Sequence, residues 1–123
     1  MSVHGDKAMC EAYGQINTRP TLQGCQYDLS SSATFIIKLV RFEGEWKIIS
    51  LECLYDKDNL VPVVTSHGKV LDIEYPRESY KCLAHVLRIQ GGYEVDPTLP
   101  GWDNPSEAFS LLSKARRWVT EAL

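Results

Sequence analysis

The stretch ATFIIKLVRFEGEWKIISLECLY, residues 33–55, decides the fold. Its two halves are rich in β-branched and aromatic residues, which favour strands, and Glu43-Gly44 separates them. Glycine tolerates the positive φ that a two-residue hairpin turn requires. The stretch therefore predicts a long antiparallel β-hairpin, Ala33 to Tyr55, at the centre of a small α+β domain.

The segments around this hairpin predict a further strand before it and a turn after it. Across Lys7–Thr18, small or apolar residues alternate with larger, more polar ones, and this period of two indicates a strand. Arg19-Pro20 ends that strand because proline cannot donate to a ladder. Residues 21–24 then read as a connection, and residues 56–59 as a solvated turn that closes the hairpin.

The second half of the chain predicts two helices. Pro76 fits the first position of a helix that Gly91-Gly92 ends. Asn104 is a suitable N-cap for a last helix, with Pro105 as its first residue and Glu107 completing a capping box. Strands followed by helices are typical of an α+β fold.

Length and composition indicate a single domain over residues 1–123, with strands mainly in 1–64 and a helical extension in 76–123. No apolar run reaches the roughly 18 to 20 residues of a membrane span, and the N-terminus does not resemble a signal peptide. The net charge is -3, so the chain lacks the excess of basic residues that is typical of proteins that bind nucleic acid or anionic membranes. We therefore expect a cytoplasmic protein without nucleic-acid or membrane partners.

The spacing of cysteines and histidines argues against a metal site and a disulfide framework. The four cysteines are widely separated and form no C-x-x-C pair, and the three histidines lack ligand spacing. We expect no metal and four partly buried thiols, at Cys10, Cys25, Cys53 and Cys82.

Both faces of the hairpin strands are apolar. In the second strand, Trp46 and Ile48 point to one side and Ile49 and Leu51 to the other. An antiparallel sheet with one wet face should instead alternate cleanly between apolar and polar residues. We expect one face to cover a helix or cavity, and the other to meet a second sheet or a second subunit.

The run from Gly44 to Asp58 resembles the final hairpin of SnoaL-like proteins, which belong to the nuclear transport factor 2-like superfamily. Gly5-Asp6-Lys7-Ala8 is similar to the superfamily's usual entry to its middle strands. Three later segments, 79–83, 92–93 and 99–105, resemble the fungal branch of the SnoaL-like group.

This resemblance covers roughly residues 3–120 and implies a partial cone, a curved antiparallel sheet with C-terminal helices. Relatives begin with several helices that cap the concave side of the sheet. Since this chain starts at Met1, immediately before the first matching strand, we expect those helices to be missing or to be supplied by a partner.

The resemblance also implies a function. It favours binding of a hydrophobic small molecule by a secondary-metabolism cyclase, isomerase or dehydratase that acts on a polyketide or terpenoid by acid–base chemistry without a cofactor. The superfamily includes members without catalysis, so the alternative is a non-catalytic binding or dimerisation module, such as a truncated inactive relative. In either case a homodimer through the sheet is expected.

Three residues are candidate acids or bases for such chemistry: Glu52, Asp28 and His4. Glu52 lies mid-strand among apolar residues, where burial raises a carboxyl pKa, yet it also suits a polar contact to a neighbouring strand or subunit. Asp28 near a strand entry also suits a turn cap, and His4 lies close to the chain start. His67 and His85 are weaker candidates.

Three aromatic residues are candidate substrate contacts: Tyr13, Trp46 and Tyr55. The two tyrosines can donate hydrogen bonds to a ligand carbonyl, although strand tyrosines more often simply pack with the hydroxyl at the edge. Trp46 suits a ligand platform or the core. Cys53 has no basic neighbour in sequence to activate it, so nucleophilic catalysis is not expected.

Overall fold

The computed structural model describes residues 1–64 and 71–121. An open, mostly antiparallel sheet of five strands precedes two helices, so the predicted α+β class is confirmed. The strands are β1 (Ser2–His4), β2 (Lys7–Thr18), β3 (Thr21–Leu22), β4 (Cys25–Phe42) and β5 (Glu45–Pro62). The helices are a short 3-10 helix (Glu78–Tyr80), α1 (Lys81–Gly91) and α2 (Pro105–Thr120).

The predicted hairpin is longer than expected, and its first strand, β4, is the central strand of the sheet. Glu43 and Gly44 both adopt positive φ, 52° and 79°, which matches the right-handed twist of the flanking strands. β4 and β5 each contain 18 residues, and β4 pairs with β2, β3 and β5. β5 pairs with β4 alone among the named strands and is therefore an edge strand.

The predicted connection at residues 21–24 is a second small hairpin. Gln23 and Gly24 adopt positive φ, 51° and 79°, and reverse the chain between β3 and the start of β4. The sequence prediction missed this because a two-residue strand carries no periodic pattern. The strand predicted over Lys7–Thr18 is confirmed with the same bounds.

The prediction of a solvated turn at residues 56–59 was wrong, because β5 runs through them to Pro62. The register between β4 and β5 shifts at Ser32/Ala33, so Asp56 is left unpaired as a β-bulge. Asp58 then points towards α1 and accepts a hydrogen bond of 2.8 Å from the backbone N–H of Leu83. Burial raises the pKa of the Asp58 carboxyl.

The two helices pack on opposite faces of the sheet. Residues opposite each other in paired strands share a face, so even-numbered β4 residues define the face that meets α2, here called the α2 face. There Met9, Ile36 and Leu54 form a core with four buried residues of α2: Ala108, Leu112, Ala115 and Val119. Burial of each large side chain stabilises the fold by about 1.5–3 kcal/mol.

Odd-numbered β4 residues define the other face, here called the α1 face. Near its β3 end, Tyr27, Leu29 and Leu60 pack with Cys82 and Val86 of α1. The two helices therefore cover diagonally opposite quarters of one sheet. The remaining two quarters are not covered by any described residue, and they differ sharply in polarity.

The uncovered part of the α1 face, here called the apolar quarter, contains nine apolar residues on three strands. Its most exposed members are Trp46, Ile48 and Leu51, at 41%, 65% and 61%. The prediction that Leu51 faces away from Trp46 and Ile48 was wrong, because a second register shift, at Lys38/Leu39, leaves Ile49 unpaired and brings all three to one face. In order of strand, the quarter comprises Cys10 and Ala12 on β2; Phe35, Ile37 and Leu39 on β4; and Trp46, Ile48, Leu51 and Cys53 on β5.

The helix ends follow the predicted signals with one exception. Gly92 ends α1 with a φ of 63°, and Asn104 caps α2 by accepting a hydrogen bond from the Glu107 N–H. The helix predicted to start at Pro76 was wrong in its first turn, since Arg77 is extended and α1 begins at Lys81. That extended backbone places the Arg77 side chain against a distant loop, as described below.

Candidate functional site

A groove of about 280 Å³ runs along the free edge of β5. A loop before α2 forms its second wall, because Gly101 makes a parallel bridge to Tyr55 and the Trp102 N–H donates to the Tyr55 carbonyl at 2.8 Å. The groove is lined by Glu52, Cys53, Tyr55, Leu99, Pro100 and Leu111. Two residues predicted from the sequence, Glu52 and Tyr55, therefore line one groove, where Glu52 extends from the α2 face of β5 and Tyr55 from the α1 face.

An arginine clamp holds the loop against the strand. Arg77 donates to both carboxylate oxygens of Asp103, at 3.0 and 2.8 Å, and to the carbonyls of Pro97 and Leu99, each at 2.8 Å. The hydrogen bonds from Arg77 lower the pKa of Asp103 to about 2. The clamp fixes the backbone that presents the groove's apolar wall.

The loop approaches the strand too closely for a side chain at position 101. A Cβ atom on Gly101 would collide with the Ser79 hydroxyl and come within 2.9 Å of an Asp103 carboxylate oxygen. Glycine is therefore required here by space, because the backbone must reach the edge of β5 beneath the clamp.

Glu52 supplies the groove with its carboxylate. Its side chain is 37% exposed and lies on the α2 face, where Lys38 Nζ is 4.0 Å from Oε1. Lys38 itself lies over the ring of Trp118, 5.4 Å from the centroid. The Glu52 side chain is thus half-buried, and it lies at the groove with its carboxylate near a lysine.

Tyr55 supplies a neutral hydroxyl. Burial raises its pKa, and the neighbouring Cys53 thiol raises it further, so the phenol keeps its proton at neutral pH and can donate a hydrogen bond. Its ring packs at a tilt against that of Tyr80, with centroids 6.1 Å apart. Burial also raises the pKa of Cys53, which keeps this thiol protonated rather than nucleophilic.

The other candidate residues lie away from this groove. Asp28 is paired with Arg19 at 2.8 Å, and Tyr13 donates to Asp56 at 2.9 Å, both on the α2 face. His4 is exposed at the end of β1, and Trp46 lies under the guanidinium of Arg41 in the apolar quarter.

Of the two remaining histidines, the structure describes His85 alone. His85 is on α1, and burial together with Arg88 lowers its pKa. His67 lies outside the described residues.

Sequence reasoning missed the second wall and the clamp. The sequence pattern does not place Leu99, Pro100 or Leu111 near the edge of β5. Nothing in the local sequence links Arg77 to Asp103, because the pair is separated by 26 positions and joined only by the fold.

Within residues 1–64 and 71–121, no group of histidine, cysteine and acidic side chains could hold a metal ion. None of the described helices is long and apolar enough to cross a membrane. In comparisons with known proteins, no protein-family model matches the chain and no match is found among curated proteins.

Proposed function

We propose that this chain is a SnoaL-like protein that binds a hydrophobic, polycyclic small molecule in the β5 groove and moves protons on it through Glu52. The substrate class would be a polyketide or terpenoid, and the reaction a cyclisation, isomerisation or dehydration in the cytoplasm. The observation that carries the proposal is that Glu52 and Tyr55 line one groove together with Leu99, Pro100 and Leu111.

The proposed chemistry needs only these two polar groups. The Glu52 carboxylate takes a proton from a carbon next to a ligand carbonyl, and the electron pair of the broken C–H bond forms an enolate. The Tyr55 hydroxyl donates a hydrogen bond to the enolate oxygen as negative charge develops. When the ligand has a β,γ double bond, the enolate is a dienolate, and Glu52 returns the proton to its γ carbon, which gives the conjugated isomer with no net oxidation or reduction.

Ligand binding in the groove can be tested on its apolar wall. Leu99→Ser should weaken the binding of a hydroxyanthraquinone about tenfold, because burying a leucine side chain contributes about 1.5–3 kcal/mol. The side chain of Leu99 is 47% exposed, so the variant should fold normally. The measurement is a fluorescence titration, with Ile48→Ser in the apolar quarter as the matched control. Loss of binding in the control but not in Leu99→Ser would assign the ligand to the apolar quarter instead.

A second candidate function, a dimerisation module without catalysis, is supported by the apolar quarter. An uncharged apolar patch of this size on one face of a sheet is typical of a protein interface rather than of a solvent-exposed surface. The centre of the quarter carries no charge, so two copies could meet there without like-charge repulsion. We therefore propose a second copy of this chain as the occupant.

The sizes of the side chains in the apolar quarter also suit an interface with twofold symmetry. Its β2 row has small side chains, Cys10 and Ala12, while its β5 row has large ones, Trp46, Ile48 and Leu51. A twofold axis can lay the β5 row of each copy over the β2 row of the other, and an isologous interface requires such self-complementarity.

Leu51→Glu is expected to convert a dimer into a monomer, because it would bury an unpaired carboxylate at the centre of the interface. Light scattering should give twice the 13.9 kDa chain mass for the unmodified protein and the single mass for the variant. Gln15→Glu, on the opposite face, is the control and should remain dimeric. A monomeric mass for the unmodified protein at every concentration would exclude the dimer.

A further inference from the structure

The uncovered part of the α2 face is polar, whereas the uncovered quarter of the α1 face is apolar. Two rungs cross its three strands, and all six of their side chains are polar. One rung is Asn17, Ser30 and Asn59; the other is Gln15, Ser32 and Lys57. In each rung the central β4 residue is a serine and its neighbours on β2 and β5 are longer.

This size pattern forms a trough. The short serines are its floor, and the longer amide and lysine side chains are its walls. The resulting groove has a volume of about 430 Å³ and is lined by Gln15, Ser30, Ser32, Lys57, Asp58 and Asn59. Small-molecule sites commonly have volumes of roughly 300–1,000 Å³, so the trough matches the size of a small ligand.

Both ends of the trough carry side chains that are already fixed. At one end, Tyr13 is 64% exposed and is held by its hydrogen bond to Asp56, the residue that the β-bulge turns out of the ladder. At the other end, Arg19 and Asp28 form an ion pair at 2.8 Å. The trough therefore has an exposed aromatic ring at one end and a neutralised pair at the other.

The charges around the trough favour an anionic group at one position. Among the described residues, Lys57 has no ion-pair partner, whereas Asp28 and Asp56 are engaged as above. Asp58 accepts the Leu83 N–H on the α1 face, which directs its carboxylate towards the helix. The rest of the lining consists of amides and hydroxyls, which donate and accept hydrogen bonds equally well.

We propose that this trough binds a sugar acid of monosaccharide size, with its hydroxyl groups on the serine and amide side chains and its carboxylate at Lys57. Hydroxyl groups of the ligand both donate and accept, as the lining requires, and the exposed ring of Tyr13 offers an apolar surface for the C–H face of a sugar. The site is separate from the β5 groove and does not depend on the function proposed there.

The test is a titration of the full chain with glucuronate and with glucose, followed by amide chemical shifts. Glucuronate should cause saturable shifts at residues 13–17, 30–32 and 57–59, with glucose at least fivefold weaker. Lys57→Gln should remove this preference, while Lys47→Gln, an exposed lysine near the hairpin turn, should leave it unchanged.

Three outcomes would overturn the proposal. The first is the absence of saturable shifts in the trough with glucuronate. The second is equal binding of glucose and glucuronate, because Lys57 would then contribute nothing. The third is an equal effect of the Lys57 and Lys47 variants, which would indicate a general charge effect. Since the titration does not involve the β5 groove, its failure would leave the function proposed for Glu52 untouched.

Discussion

Replacing Arg77 by alanine is expected to lower the free energy of unfolding by about 1.5–3 kcal/mol, the usual contribution of hydrogen bonds to charged groups. The Arg77 side chain is only 14% exposed and that of Asp103 only 18%. Without the guanidinium, the Asp103 carboxylate and the carbonyls of Pro97 and Leu99 lose their common donor.

Urea unfolding of the Arg77→Ala variant measures this loss. Arg19→Ala is the matched control, because that arginine also binds an aspartate but is 56% exposed, and it should cost about 1 kcal/mol or less. The Arg77 contribution should also depend on pH. Because the pKa of Asp103 is lowered, its stabilisation is complete above the ordinary value of 3.8 and is lost as the pH falls towards about 2. Equal small losses in both variants would show that the clamp contributes little.

The parts of the fold that could be predicted are those with local causes. The period of two across Lys7–Thr18, the glycine at the Glu43-Gly44 turn and the Asn104-Pro105 start of α2 each act within a few residues. For this reason the structure reproduces these features where the sequence predicted them.

The parts that could not be predicted depend on tertiary contacts. Asp58 is charged and was therefore placed in a solvated turn, but α1 brings the Leu83 N–H to its carboxylate and makes burial acceptable. Similarly, Pro76 suits a helix start, yet Arg77 stays extended because its guanidinium is bound by a loop more than twenty residues away.

The two-sided apolarity of the hairpin was visible in the sequence, but its division between two helices was not. α2 covers the part of β4 around Ile36 on one face, and α1 covers the part around Tyr27 and Leu29 on the other. Periodicity identifies the faces of a strand, but it does not indicate where along the strand each face is covered.

Only some of the residues that line the β5 groove could be predicted, because the others reach it through tertiary contacts. Glu52 could be identified because a carboxylate among apolar strand residues is unusual in sequence, and Tyr55 because its hydroxyl can donate a hydrogen bond. The groove between them and Leu99 could not, because it depends on the Gly101 backbone reaching the edge of β5.

Replacing Glu52 by glutamine is expected to remove most of the proton-transfer activity, since a positioned acid or base contributes typically about 100- to 10,000-fold. Glutamine keeps the size of the side chain and its hydrogen-bonding capacity but cannot accept a proton at neutral pH. Tyr55→Phe should cause a smaller loss, because it removes only the hydrogen bond to the developing enolate oxygen. Glu45→Gln, whose carboxylate is 76% exposed at the hairpin turn, is the control.

The most direct test is the rate at which 2-tetralone, a bicyclic enolisable ketone, exchanges its C1 protons for deuterium in the presence of the protein. We expect the unmodified chain and the Glu45→Gln variant to accelerate the exchange equally above the buffer rate. The Glu52→Gln variant should accelerate it roughly 100-fold less, the lower end of what a positioned acid or base contributes. Equal exchange with the Glu52→Gln variant and the unmodified chain would contradict the proposal that Glu52 moves protons in the β5 groove.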